Sequence, residues 1–202
     1  MANSRNMSSG QRQIIKNPSV IIVNFLLAGI VVLFLALSYG YIFTMGSNWT
    51  EFKLPKVFWL STVSILGVSL LLRRALRMYD LDKPKKLKRS MYAALIFSIF
   101  FVSFQILGWS ELMSKGLDLQ SSPSVSYLYI LTGLHVIHVA VGIIFLIVSI
   151  VRSHINTQDN VKALLYFSDP LKRSRLKLLN NYWHTIDFLW VYLFLAFLFH
   201  HA

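Results

Sequence analysis

The chain has no cysteine, which rules out disulfides, thiolate metal sites and a thioether haem-attachment motif. It is also poor in acid, with 8 aspartates and glutamates against 20 lysines and arginines. The few acids avoid the apolar cores of the first three long hydrophobic runs. A pump needs acidic or histidine groups in series across the bilayer. This chain alone therefore carries no complete proton or ion path. The net charge of +12 is no sign of nucleic acid, because the basic residues stand between apolar runs. The densest of them, Arg73–Arg89, lacks the interleaved aromatics that single-strand binding uses.

What the chain does have is hydrophobicity: 55% of its 202 residues, too much for an ordinary soluble domain. The pattern predicts an all-α integral membrane protein with five transmembrane helices, over residues 18–45, 54–72, 90–112, 125–151 and 182–200. Residues 1–17 read as a polar, basic tail retained on the chain, and 18–202 as a single transmembrane domain. Asn17-Pro18 suits a helix start, and Trp49 suits the membrane–water boundary beyond the first run. Asn24 reads as a helix–helix or headgroup contact, and Ser61, Thr62, Ser64, Gly67 and Ser69 as a close-packing face. Arg73–Arg89 is expected to be a solvated loop lying on anionic headgroups. A short surface helix is expected near Asp159–Phe167, and His200-His201 are expected to be terminal and wet. Seventeen of the 20 basic residues fall on one side of this arrangement. The positive-inside rule then sets the N-terminus in the cytoplasm and the C-terminus outside.

The fourth run, Tyr127–Val151, organises the rest. His135 and His138 are three apart and share a helix face with Thr132 and Gly142. Small and hydroxyl residues on such a face let a neighbouring helix approach closely. On the fifth run, His184 and Asp187 are three apart and suited to pair. On the third, Gln105 and Trp109 share a face, with Trp109 at interface depth. Ionisable residues inside a membrane are functional candidates, and four uses compete for these. Haem ligation needs facing histidines at equal depth, whereas His184 lies near one boundary and His135 and His138 lie deeper. A non-haem metal wants more carboxylate or histidine than Asp187 supplies. A short proton-collecting role beside the basic loop stays open for His184 and Asp187. The fourth use is structural, tying the bundle together and to a larger partner, and the chemistry favours it.

Thr132-Gly133-Leu134-His135-Val136-Ile137-His138-Val139 with Gly142 resembles the T-G-x-H-x-x-H-V-x-x-G signature of subunit III of haem–copper terminal oxidases. Tyr182-Trp183-His184-Thr185-Ile186-Asp187-Phe188-Leu189-Trp190 is similar to that family's Y-W-H-F-V-D-x-x-W. Leu54-Pro55 with Ser61-Thr62 resembles L-P-x-x-x-x-N-T, with serine for asparagine and one residue more between the two pairs, and Gln105 to Trp109 resembles Q-x-x-E-(Y/W). The matches follow the family's order over nearly the whole chain. The resemblance implies a five-helix form of the cytochrome c oxidase subunit III family. It implies a non-catalytic subunit that packs on subunit I of an oxygen-reducing, proton-pumping enzyme, holds phospholipid and supports assembly and proton uptake. Haem and copper would then sit in subunits I and II and none would be bound by this chain. Cytochrome c or quinol would be the electron donor. Thr132, His135, His138, Gly142, Gln105, Trp109, Trp183, His184, Asp187 and Trp190 become packing and subunit-contact residues. A quinol oxidase subunit III is the alternative within the family, and a haem-carrying membrane anchor of a dehydrogenase the alternative outside it. Two departures stand out. The family's buried glutamate of the first shared helix is missing from Ala28-Gly29-Ile30-Val31, and the Q-x-x-E glutamate is replaced by Gly108.

Overall fold

The computed structural model describes residues 18–44 and 53–201. It contains α1 (Pro18–Phe43), α2 (Val57–Asp80), α3 (Pro84–Ser114), α4 (Pro123–Asn156), α5 (Asn160–Ser168) and α6 (Pro170–His201), with no strand among the described residues. All but α5 are long and apolar enough to cross a bilayer, so the protein is an all-α, five-span membrane protein. The tail 1–17, Trp49, the predicted end of the first run at Met45 and the side chains of His200 and His201 lie outside the described residues.

The helices outrun the membrane. Helix α2 continues through Arg73, Arg74 and Arg77 to Asp80, and α3 already begins at Pro84. The expected loop over 73–89 therefore shrinks to Leu81–Lys83. The cause is an apolar stripe running on beneath the charges. Leu72, Ala75 and Tyr79 are buried on α2, and Leu87 and Met91 on α3, at helical spacing. The tight turn uses Asp82 at φ 51°, with the Lys83 amide donating to the Met78 carbonyl at 3.0 Å. Pro84 then opens α3, where its missing N–H costs nothing. Residues 152–181 behave likewise. Helix α4 extends to Asn156, α5 stands where a surface helix was expected, and α6 starts at Pro170, twelve residues before the predicted span. At 32 residues α6 is about 48 Å long, well beyond the roughly 30 Å of hydrocarbon.

Helices α2 and α3 form the closest pair, α6 packs across α2 and α4, and α3 packs on α4, while α1 packs mainly on α4 and α6, over short stretches. The core between them centres on Ile65, Phe101, Leu128, Val139, Trp183 and Ile186, all shielded from solvent. At the far end α3 stops at Gly116, whose φ of +73° suits glycine. There the Leu117 amide caps the Leu112 carbonyl at 3.1 Å. At the basic end the Tyr79 hydroxyl donates to the Tyr166 carbonyl at 2.6 Å and to that of Asp169 at 3.2 Å. Arg173 grips Asp80 with two bonds, at 2.7 and 3.1 Å.

Candidate functional site

The polar residues singled out in the sequence lie on the seams where α2, α3, α4 and α6 meet. Three of the bonds that cross these seams share one design. Gln105 Nε2 donates to Ser61 Oγ at 3.0 Å, Trp109 Nε1 to Thr132 Oγ1 at 3.1 Å, and Trp190 Nε1 to Thr62 Oγ1 at 3.0 Å. Each accepting hydroxyl has already given its proton to its own helix. Ser61 and Thr62 donate to the Phe58 carbonyl at 2.9 and 2.8 Å, and Thr132 to that of Leu128 at 2.6 Å. The hydroxyl proton being used, only a lone pair faces the neighbouring helix, and that position demands an N–H donor. Ser61 and Thr62 are thus more than the small close-packing residues of the sequence reading. They are the acceptors of two interhelical bonds.

On α4, Thr132, His135 and Gly142 are buried along one stripe, as their spacing implied. A Cβ on Gly142 would meet Tyr182 at 3.0 Å and the Trp183 indole at 3.1 Å, so glycine there sets how closely α6 lies. The Tyr182 hydroxyl donates to the His138 carbonyl at 2.9 Å, and the His138 Nδ1–H donates to the Leu134 carbonyl at 2.7 Å. His135 is 1% exposed, and its ring lies 5.2 Å from that of Trp190, 5.6 Å from Phe101 and 6.2 Å from Phe34. Neither of its nitrogens has a hydrogen-bond partner among the described residues. It is an imidazole held by aromatic rings, joining α1, α3, α4 and α6 at one point.

Near the basic end, His184 and Asp187 come together with two residues the sequence reading did not connect to them. Ser69 Oγ hydrogen-bonds His184 Nδ1, and Arg73 Nε donates to His184 Nε2 at 3.0 Å. The expected His184–Asp187 pair stands at 3.9 Å, a loose contact. Asp187 is buried, and neither of its carboxylate oxygens has a hydrogen-bond partner among the described residues. An ordinary membrane serine and one arginine among many in a basic stretch gave no signal that they converge on α6. His135 meets Trp190, six residues beyond His184. That is a rise of about 9 Å, so the two histidines do not face each other. No group of three or more histidine, aspartate or glutamate side chains gathers among the described residues.

Of the two departures from the expected motifs, Gly108 has a local explanation. The Phe58 ring lies against it where a Cβ would have to go, so a ring from α2 fills the space of a side chain on α3. Gly29 has open space around its Cα and sits on the exposed side of α1, as does Asn24. Below the seam, burial pushes the Tyr166 phenol above its usual range, leaving a neutral ring under the Lys172 ammonium at 5.1 Å.

No family model matches the chain. Among curated proteins it is similar to the probable quinol oxidase subunit 3 of Staphylococcus aureus (strain USA300), with 28% identity over 152 residues, 75% of this chain and 70% of that protein. It is also similar to the probable cytochrome c oxidase subunit 3 of Mycobacterium bovis, with 31% identity over 108 residues, 54% of this chain and 48% of that protein.

Proposed function

We propose that this chain, a member of the oxidase subunit III family and so part of an oxidase complex, is the non-catalytic subunit III of a proton-pumping terminal oxidase that reduces oxygen to water. The observation that carries this reading is how the membrane-embedded polar side chains are used. Gln105, Trp109, Thr132 and Trp190 close bonds between helices, and His135 is walled in by rings. A chain built this way is a rigid block that packs on a redox-active partner. Subunits I and II would hold the haems and copper. The 17 basic residues on one side favour a cytoplasmic N-terminus and an outer C-terminus in a bacterial inner membrane.

Phospholipid is the ligand this chain would hold. A cleft of about 300 Å³ lined by Arg152, Lys172 and Arg175 shares Ser149, Arg152 and Arg175 with one of about 190 Å³ lined by Val23, Phe145 and Leu179. Cations over an apolar slot suit an anionic headgroup with an acyl chain below it. Cytochrome c is the donor we favour. Quinol is the second reading, because the relative named a quinol oxidase subunit aligns with more of this chain.

Purification through a tag on this chain tests the assignment. The expected outcome is co-purification of subunits bearing haem and copper, and no Soret band from the chain alone. A Soret band from the isolated chain that vanishes in His135→Ala or His184→Ala would replace this reading with a haem-carrying anchor. A supporting role in proton uptake would rest on Ser69, Arg73, His184 and Asp187. Asp187→Asn should then slow turnover at high pH, where protons are scarce, with assembly intact. Rates unchanged across pH would remove that role.

A further inference from the structure

Helix α5 lies outside the spanning helices, yet it is apolar on two faces. Its inner face is anchored. Ala163, Tyr166 and Phe167 turn inward, and the Tyr79 ring packs 5.4 Å from Tyr166 and 5.1 Å from Phe167. The Tyr79 hydroxyl bonds to the Tyr166 carbonyl, and Lys172 covers the Tyr166 ring. The opposite face carries Val161, Leu164 and Leu165 at 67%, 71% and 65% exposure, spaced one helical turn apart. Three large aliphatics on a short helix pinned from behind form a presented surface, not a fraying loop. Isolated exposed apolar side chains need no explanation, but a contiguous patch on an ordered element marks an interaction site.

We propose that α5 is an interfacial helix whose outer face lies in the headgroup layer of an anionic bilayer and fixes the depth of the basic end of the bundle. Two observations choose the lipid surface as occupant. The stripe continues the lipid-facing side of the bundle, since Val151 and Ile155 at the end of α4 and Leu171 at the start of α6 are each half exposed or more. The charges around it are mainly cationic: Lys162 on α5 itself, Arg152 before it, and Lys172 and Arg175 after it, against Asp159 and Asp169 at its two ends. An apolar face flanked by basic residues binds the boundary between headgroups and acyl chains, more strongly when the lipids are anionic. The outer face of α5 is separate from the cleft proposed above for a single bound lipid, which α4, α6 and Tyr166 line, although both draw on Arg152, Lys172 and Arg175.

The absence of cysteine makes the test direct, because one introduced cysteine is the only thiol of the chain, which is labelled before it enters the complex. Leu165→Cys and, independently, Val161→Cys would carry an environment-sensitive fluorophore, in the full chain in nanodiscs and in the assembled complex. Gln120→Cys, in the loop at the other end, is the water-facing control. In phosphatidylcholine nanodiscs with 30 mol% phosphatidylglycerol, both α5 probes should emit to the blue of the control. They should also be quenched at least threefold more by shallow spin-labelled lipid than by aqueous iodide, with the lipid quenching reduced in pure phosphatidylcholine. Iodide quenching equal to the control would overturn the proposal. So would protection from iodide that arises only in the assembled complex, which would make the stripe a contact with another subunit. Neither result bears on whether the chain is an oxidase subunit, which the tag purification decides.

Discussion

Helices α1 and α6 cross the same membrane in opposite ways. In the most apolar stretch of α1, 22% of the residues are buried within the chain, against 50% for α6. Phe25, Val32, Tyr39 and Phe43 on α1 are all largely exposed. Beside the buried Val20, Leu27 and Ile30, it is anchored by two rings: Phe34 against His135 and His138, and Tyr41 against Tyr127 and Phe197. Helix α6, by contrast, sets Trp183, Ile186, Asp187 and Trp190 against three neighbours and closes bonds to α2 and α4. In lipid there is no hydrophobic drive to bring one apolar helix to another, so close packing and interhelical hydrogen bonds decide which helices hold together. Helices α2, α3, α4 and α6 are therefore self-sufficient, whereas α1 is finished by whatever lies beyond the chain.

The sharpest way to break the self-sufficient block is at Gly108. Gly108→Glu puts a carboxyl where the Phe58 ring lies, which displaces the ring and buries a polar group without a partner. The expected loss is roughly 3 kcal/mol or more of stability. Phe58→Ala should recover part of it by making room, so the double variant is more stable than the two single effects summed. Thermal unfolding in detergent reads this. Strictly additive effects would mean that the ring and the missing side chain do not share one space.

Next in size is Gly142→Val. With Tyr182 and Trp183 already at 3.0–3.1 Å from a Cβ, the two further methyl groups force α4 and α6 apart. We expect a cost of about 1–3 kcal/mol, read by thermal unfolding in detergent. Smaller again is Trp190→Phe, which keeps the ring packing but loses the bond to Thr62. Interhelical hydrogen bonds in membranes average about 0.6 kcal/mol. Thr62→Val should cost a similar amount, and the pair together no more than the larger single effect. A double variant twice as costly as either one would sever the link between them.

These positions were unequally legible in the sequence. The spans followed from unbroken apolar runs. The buried stripe of α4 followed from Thr132, His135 and Gly142 sharing one face, because that depends only on spacing within one helix. What spacing cannot supply is the residue opposite. Ser69 and Arg73 sit 115 and 111 positions from His184. Each had a sufficient local explanation, one as a small packing residue and the other as a basic residue at the membrane edge. The charged stretch over 73–89 read as loop because its charges outweigh Ala75, Tyr79 and Leu87, the buried residues that keep it helical. Gly108 read as a loss, and only the Phe58 ring makes it a replacement.

The smallest effect is expected on α1, and it separates two kinds of finishing. Gly29 has nothing within 4 Å of an added Cβ, and it lies in a shallow apolar groove with Ile22, Phe25, Leu26 and Leu33. Gly29→Leu should leave the thermal stability of the isolated chain unchanged within about 0.5 kcal/mol, or raise it slightly as glycine leaves a helix interior. If lipid covers this face, the assembled complex will tolerate the leucine equally well, since acyl chains move aside. If a helix of a neighbouring subunit lies in the groove, the leucine will stand between two backbones. The complex will then lose this chain at lower detergent concentration while the chain itself remains folded. Destabilisation of the isolated chain as large as that from Gly142→Val would erase the contrast between α1 and α6.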